Sequence, residues 1–369
     1  MMQNPVNLFL RAPRLDRALA YYRGSADSFH GIPSPVPQHR LAEDSPVTGQ
    51  LDSQAQDLLD VIAAAGLAPI HTLPVADARE RMRAALIGAV ESPTLVSVED
   101  TSLASPGGSL RLRLYRPCDG LLPVALFFHG GGWTLNDLDT HDALCRRLAA
   151  RSGWLFASLD YRRAPEHRHP AALEDAYVAY RWILDNAERL GCDPACRAVV
   201  GESSGAAMAA SLTLLLRDGG APMPTYQVLA YPLMDIAEHW PSRREHGGGY
   251  TLDIEQIRWF LANYVPPGHD PTDPYLFPIT GKDMSGLPPA LVMTAEFDPL
   301  RDEGIAYARK LAQAGVAVEH LHAEDQMHGF LLLSRAVDGA GRLVDRVADA
   351  LTSHASASGR PAGTRLSRP

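Results

Sequence analysis

Between Val96 and Met234, short apolar runs alternate with longer amphipathic ones, and this rhythm restricts the fold more than any other feature of the chain. The short runs are Leu110–Tyr115, Val124–Phe128, Leu155–Asp160, Ala198–Val200 and Gln227–Tyr231; the longer ones are Thr140–Ala150, Ala171–Asn186 and Ser204–Arg217. Strands separated by helices of this length need right-handed crossovers, which predicts an α/β fold with a mostly parallel sheet. The rhythm breaks over Asp235–Leu276, a His-, Pro- and Gly-rich stretch around one predicted helix, Asp253–Tyr264. It resumes with Ala290–Ala295, Arg301–Ala314, Val316–His322 and a last helix near Gly341–Thr352. An insertion between a strand and the next strand–helix unit is placed to act as a lid.

The expected organisation follows from these changes of pattern. Residues 1–95 form an N-terminal helical segment, 96–234 the first part of the core, 235–276 the insertion and 277–352 the second part of the core. The Ser-, Gly-, Pro- and Arg-rich tail 353–369 is expected to be disordered. Within the first segment Leu51–Gly66 and Ala76–Val90 predict helices, and Phe29–Pro46 an irregular lid or surface connection.

Composition narrows the classes of partner. The 34 Lys and Arg against 43 Asp and Glu give a net charge of −9, which argues against a nucleic-acid protein, whose affinity comes from neutralising phosphates. The cysteines, Cys118, Cys145, Cys192 and Cys196, are too few for a disulfide framework, and the Cys192–Cys196 pair lacks a second pair with which to hold zinc. They read as small apolar residues in a reducing compartment. The longest apolar run, Leu121–Phe128, is far short of a membrane span, and the first residues lack the ordered regions of a signal peptide. A soluble, cytoplasmic protein without stable membrane insertion is expected.

The chemistry concentrates where predicted strands end. Gly201-Glu202-Ser203-Ser204-Gly205 follows a strand and opens an Ala-rich helix, the context of a G-x-S-x-G nucleophile elbow. A tight strand-to-helix turn leaves no room for side chains two residues either side of the serine, hence the glycines; the bland alternative is a βα turn with Ser203 or Ser204 as N-cap. His129-Gly130-Gly131-Gly132-Trp133 follows the strand Val124–Phe128, and its glycines leave backbone N–H groups uncovered, as an oxyanion hole requires. A phosphate loop competes weakly, because no Lys-Ser/Thr follows, and a plain turn competes as well. A hydroxyl nucleophile needs a base and the base an orienting carboxylate. His320 and His322 share one face of a strand, whereas His328 follows that strand in a loop at the same sheet edge as Ser203. Asp298 follows the strand Leu291–Ala295, gives the chain order Ser, Asp, His, and doubles as an N-cap candidate; Asp302, its competitor, falls a turn into the helix.

Taken with DYRRAPEHRHPAALED (Asp160–Asp175), EFDPLRDEG (Glu296–Gly304) and MHGF (Met327–Phe330), these motifs resemble, in order, those of the bacterial hormone-sensitive-lipase family of α/β-hydrolases, over Leu110–Val347. The resemblance implies an eight-stranded, mostly parallel sheet with a helical cap. It implies Ser203 as nucleophile, His328 as base and Asp298 as its partner, with the N–H groups of Gly131, Gly132 and Ser204 as oxyanion hole. It also implies a homodimer through an edge strand. The chain departs from the family at Glu202, where Asp is usual, and at Arg163, where an apolar residue is usual. Its N-terminal segment is longer than the family's.

The expected reaction is two-step hydrolysis of a small ester with short acyl groups, needing neither metal nor organic cofactor. An amidase, lactonase or carbamate hydrolase would use the same triad. A ligand-binding receptor on the hydrolase fold would not need all three side chains.

Overall fold

The computed structural model describes residues 49–88 and 92–359. The Phe29–Pro46 segment lies outside the described residues. In chain order, α1 (Ser53–Ala64) and α2 (Val75–Leu86) precede the antiparallel hairpin β1 (Ser97–Ser105) and β2 (Gly108–Arg116). There follow β3 (Leu122–Phe128), α3 (Asp142–Ser152), β4 (Leu155–Asp160), α4 (Ala171–Asp185), the single turn α5 (Ala187–Leu190) and β5 (Cys192–Glu202). Next come α6 (Ser204–Asp218), β6 (Tyr226–Ala230), and two helices of the insertion, α7 (Pro241–Glu245) and α8 (Ile254–Tyr264). The chain closes with β7 (Ala290–Phe297), α9 (Arg301–Gln313), β8 (Val318–Met327) and α10 (Asp338–Ala357).

The strands form one eight-stranded sheet ordered β1-β2-β4-β3-β5-β6-β7-β8. Strand β2 is antiparallel to both its neighbours, and all pairs from β4 to β8 are parallel. The α/β-hydrolase architecture expected from the sequence is the one observed. Its cause is visible in β3, LPVALFF, which is buried at every position. Leu126 and Phe128 face one core with α4, α6 and α9, while Ala125 and Phe127 face the other with α3 and α10. A strand covered on both faces is continuously apolar, which is why these strands were legible without alternation.

Two expectations are corrected at the margins. Strand β1 was not anticipated: its sequence SVEDTSLAS is largely polar because it lies at the sheet edge, with only Leu103 buried. The last helix does not stop at Thr352 but runs to Ala357. Leu351 and Ala355, four residues apart, continue its buried face, so the first residues of the expected disordered tail are helical. The insertion is anchored by α8, capped by Asp253 onto the Gln256 N–H at 2.6 Å, which buries Ile257, Phe260, Leu261 and Tyr264 in the core.

Candidate active site

Strand β5 ends at Glu202 and α6 begins at Ser204, so the chain turns on Ser203 alone. Ser203 takes φ 53° and ψ −123°, a left-handed conformation that only surrounding structure holds in place for a side chain. Its N–H donates to the Ala230 carbonyl at 2.9 Å. A Cβ on Gly201 would overlap the Gly205 carbonyl, and one on Gly205 would overlap the Phe128 carbonyl. Both flanking glycines are thus fixed by close backbone approach, as the motif required.

The loops after β7 and β8 bring the other two candidates to this turn. His328 Nε2 lies 3.0 Å from Ser203 Oγ, and His328 Nδ1 lies 2.8 Å from Asp298 Oδ2. All three side chains belong to buried residues. Burial alone would lower the His328 pKa; the charge and hydrogen bond of Asp298, helped by Glu202 and Glu303, outweigh it and hold the imidazole above its usual 6.5. Asp298 is not the N-cap that its place before Pro299 suggested: the cap position is Leu300, and the other Asp298 oxygen accepts the Leu300 N–H at 2.8 Å in a turn just ahead of α9. Asp302 instead accepts the Ser242 N–H at 2.8 Å and ties α7 to α9. His320 and His322 do share a face, where each lies 2.9 Å from Thr294 Oγ1, and His322 Nε2 lies 2.8 Å from Glu296.

The glycine loop leaves β3, which pairs with β5 at Phe128 and Gly201 and so carries the loop to Ser203. Gly131 and Gly132 have φ of 102° and 60°, open to glycine at little cost. The loop's first N–H, Gly130, donates to Glu202 Oε1, which lies 3.0 Å from His141 Nε2. Glu202, noted as a departure in the motif, is therefore a buried strut under the loop. The Trp133 N–H donates to Ser204 Oγ at 3.2 Å. The N–H groups of Gly131, Gly132 and Ser204 donate to no other protein group among the described residues. His129 is fully buried, stacks on Tyr161 at 4.2 Å and donates through Nδ1 to the Gly130 carbonyl at 2.9 Å; burial and the neighbouring His141 push its pKa well down, which keeps it neutral.

Several supporting residues escaped the sequence reading. Arg79, on α2, donates to the carbonyls of Thr134 at 2.8 Å and Ala164 at 2.9 Å and pairs with Glu166. Arg83 pairs with Asp137 and Asp139 just beyond the loop. Arg163, noted in the sequence only as a departure from the family pattern, donates to the Asn136 carbonyl. Thr251, in the insertion, donates to the His328 carbonyl at 2.6 Å. Each partner is distant in sequence, and no local motif signals the pairing. The insertion also covers the site: a Cβ on Gly132 would overlap the Phe260 ring, and Trp133 stacks on Tyr264 at 4.1 Å and 6°. None of the four cysteines is joined in a disulfide.

Comparison with known proteins shows the family to which the chain belongs. A family profile for the α/β hydrolase fold matches residues 125–332. The chain is 42% identical over 286 residues to the carboxylic ester hydrolase LipN of Mycobacterium tuberculosis, covering 75% of this chain and 76% of that protein. It is 38% identical to the ethyl acetate hydrolase of Pseudomonas putida, covering 78% of this chain and 92% of the relative. Among solved structures, a hyperthermophilic esterase from the archaeon Pyrobaculum calidifontis superposes with a TM-score of 0.78 at 38% identity, covering 83% of this chain and 99% of that one.

Proposed function

The chain belongs to the α/β hydrolase fold family, in line with the hormone-sensitive-lipase resemblance of its motifs, and is a carboxylic ester hydrolase; from that premise we propose that it cleaves short-chain acyl esters through an acyl-enzyme formed on Ser203. The observation that carries this reading is the pair of contacts, 3.0 and 2.8 Å, that link Ser203 to His328 and His328 to Asp298. His328 Nε2 takes the Ser203 proton as Oγ attacks the ester carbonyl carbon. The resulting oxyanion is held by the N–H groups of Gly131, Gly132 and Ser204, aided by the N-terminus of α6. His328, steadied as imidazolium by Asp298, then protonates the leaving alcohol. Water enters, gives its proton to His328, and the second tetrahedral intermediate collapses to release the acid and restore Ser203.

Short acyl groups are favoured by Phe260, whose ring closes over Gly132, and by the likeness to an ethyl acetate hydrolase. The test is hydrolysis of p-nitrophenyl esters from acetate to palmitate by the wild type and by Ser203→Ala. Turnover of short esters that vanishes in the variant is the expected result. Preference for palmitate would overturn the chain-length reading alone; full activity in the variant would overturn the nucleophile. The same reading includes a cytoplasmic location, in keeping with cysteines not joined in disulfides, and a homodimer along the edge strand β8, to be measured by light scattering. No described helix is long and apolar enough to cross a membrane.

A further inference from the structure

Away from the triad, three side chains from two segments converge where the insertion meets the core. His169 lies in the loop between β4 and α4, with its side chain fully buried; His269 and Asp273, four residues apart, follow α8 and are largely buried. His169 Nε2 lies 3.7 Å and His269 Nε2 2.9 Å from the same atom, Asp273 Oδ2, and one ligand atom from each residue lies within 4.8 Å of the others. Two of the atoms that do not converge have other partners: His169 Nδ1 is 3.3 Å from the Tyr264 hydroxyl, and Asp273 Oδ1 accepts the Tyr275 N–H at 2.8 Å. This division, one atom of a ligand held and the other presented, is how second-shell contacts orient metal ligands.

We propose that His169 Nε2, His269 Nε2 and Asp273 Oδ2 bind one divalent transition-metal ion, Zn²⁺ by ligand type, with a fourth position for water. Tetrahedral Zn²⁺ with bonds of about 2.0–2.2 Å sets its ligands ~3.3–3.5 Å apart, so the shorter contact opens and the longer one closes by a few tenths of an ångström. Two imidazoles with one carboxylate suit zinc or its neighbours and not magnesium or calcium, which prefer oxygen.

The ion's role is to fasten the insertion and not to take part in the chemistry at Ser203. His169 also donates its N–H to the Tyr264 carbonyl at 3.0 Å, and Tyr264 stacks on Trp133, the neighbour of Gly132. Ligation would therefore staple the lid to the core directly beside the glycine loop. The competing account is an imidazole–carboxylate cluster that pins the same seam without metal.

Untagged full-length protein, stripped with EDTA and dialysed, separates the two accounts when titrated calorimetrically with Zn²⁺ and followed optically with Co²⁺. The expected result is saturable binding of one ion per chain, a Tm that rises with the logarithm of free Zn²⁺ above the Kd, and the visible d–d band of tetrahedral Co²⁺. His269→Ala and Asp273→Asn should each weaken binding by more than about a hundredfold and abolish the band, with the circular-dichroism spectrum unchanged. Absence of one-to-one binding in the wild type overturns the proposal whatever the variants do. Binding of undiminished affinity in both variants overturns it too, since the ion would then sit elsewhere.

Discussion

Strand β3 is buried at all seven of its positions, whereas α1 has one fully buried residue, Ala55, in twelve. The sheet is held by apolar side chains packed on both faces. The N-terminal helices make a thinner apolar contact, through Ala55, Leu58 and Leu59 of α1 and Ala78, Met82 and Leu86 of α2, and add polar fastenings: Gln54 accepts the Asp338 N–H, and Arg79 and Arg83 fasten α2 to the loops around Trp133 and Asp137. Apolar burial is non-directional and scales with area, so the sheet tolerates a shift of neighbours. Charge-assisted hydrogen bonds are directional, so the seam sets the position of a loop more sharply than it stabilises the fold. The molecule thus separates stability, which resides in the sheet, from alignment, which resides in its polar seams.

That contrast can be broken or sharpened by experiment. The largest effect is expected from Ser203→Ala, which should cut ester hydrolysis by on the order of 10⁶-fold while the urea midpoint barely moves or rises. In the sheet, Phe127→Ala should cost about 3–5 kcal/mol in urea denaturation, because the cavity forms where both faces are packed. At the seam, Arg79→Ala removes two charge-assisted hydrogen bonds to backbone carbonyls and should cost about 2–3 kcal/mol. It should also lower kcat about tenfold with KM nearly unchanged, through the glycine loop. If Arg79→Ala destabilised the protein as much as Phe127→Ala and left kcat intact, the division between stability and alignment would collapse.

The pH dependence follows from the environment of His328. A base must be neutral, so kcat/KM for p-nitrophenyl acetate should fall about tenfold per unit as pH drops through a midpoint above 6.5. The effect on folding has the opposite sense. A raised folded-state pKa gives stability that is complete below the unfolded value and is lost as pH climbs through the folded one. Asp298→Asn should return that midpoint downward and separate the two effects. The smallest change is expected on the outer face of α1, where Val61 is 67% exposed; Val61→Ser should shift stability by no more than about 0.5 kcal/mol.

The same division explains what the sequence disclosed. The parallel strands, the helices between them and the loops that carry Ser203, Asp298 and His328 were legible because each is specified locally, by apolar runs, glycines and chain order. Strand β1 was hidden because an edge strand with one buried residue carries no apolar signature. The end of α10 runs past the expected boundary because the Ser-, Gly-, Pro- and Arg-rich composition of the tail hides the spacing of Leu351 and Ala355. Glu202 was recorded as a deviation, yet its role under Gly130 depends on a partner 72 positions away. His269 and Asp273 show a helical spacing in the sequence, but His169 stands a hundred residues earlier. Contacts of that range leave no trace in any window.

The backbone of Ser203 has a consequence for the history of the chain. A residue with a side chain is held there in a conformation that glycine adopts freely. Replacement of Ser203 by glycine would relieve that tension and leave a sturdier, silent protein. If Ser203 is the nucleophile proposed above, folding and turnover pull this one position in opposite directions, and the reaction needs a hydroxyl where the fold itself would do better without one.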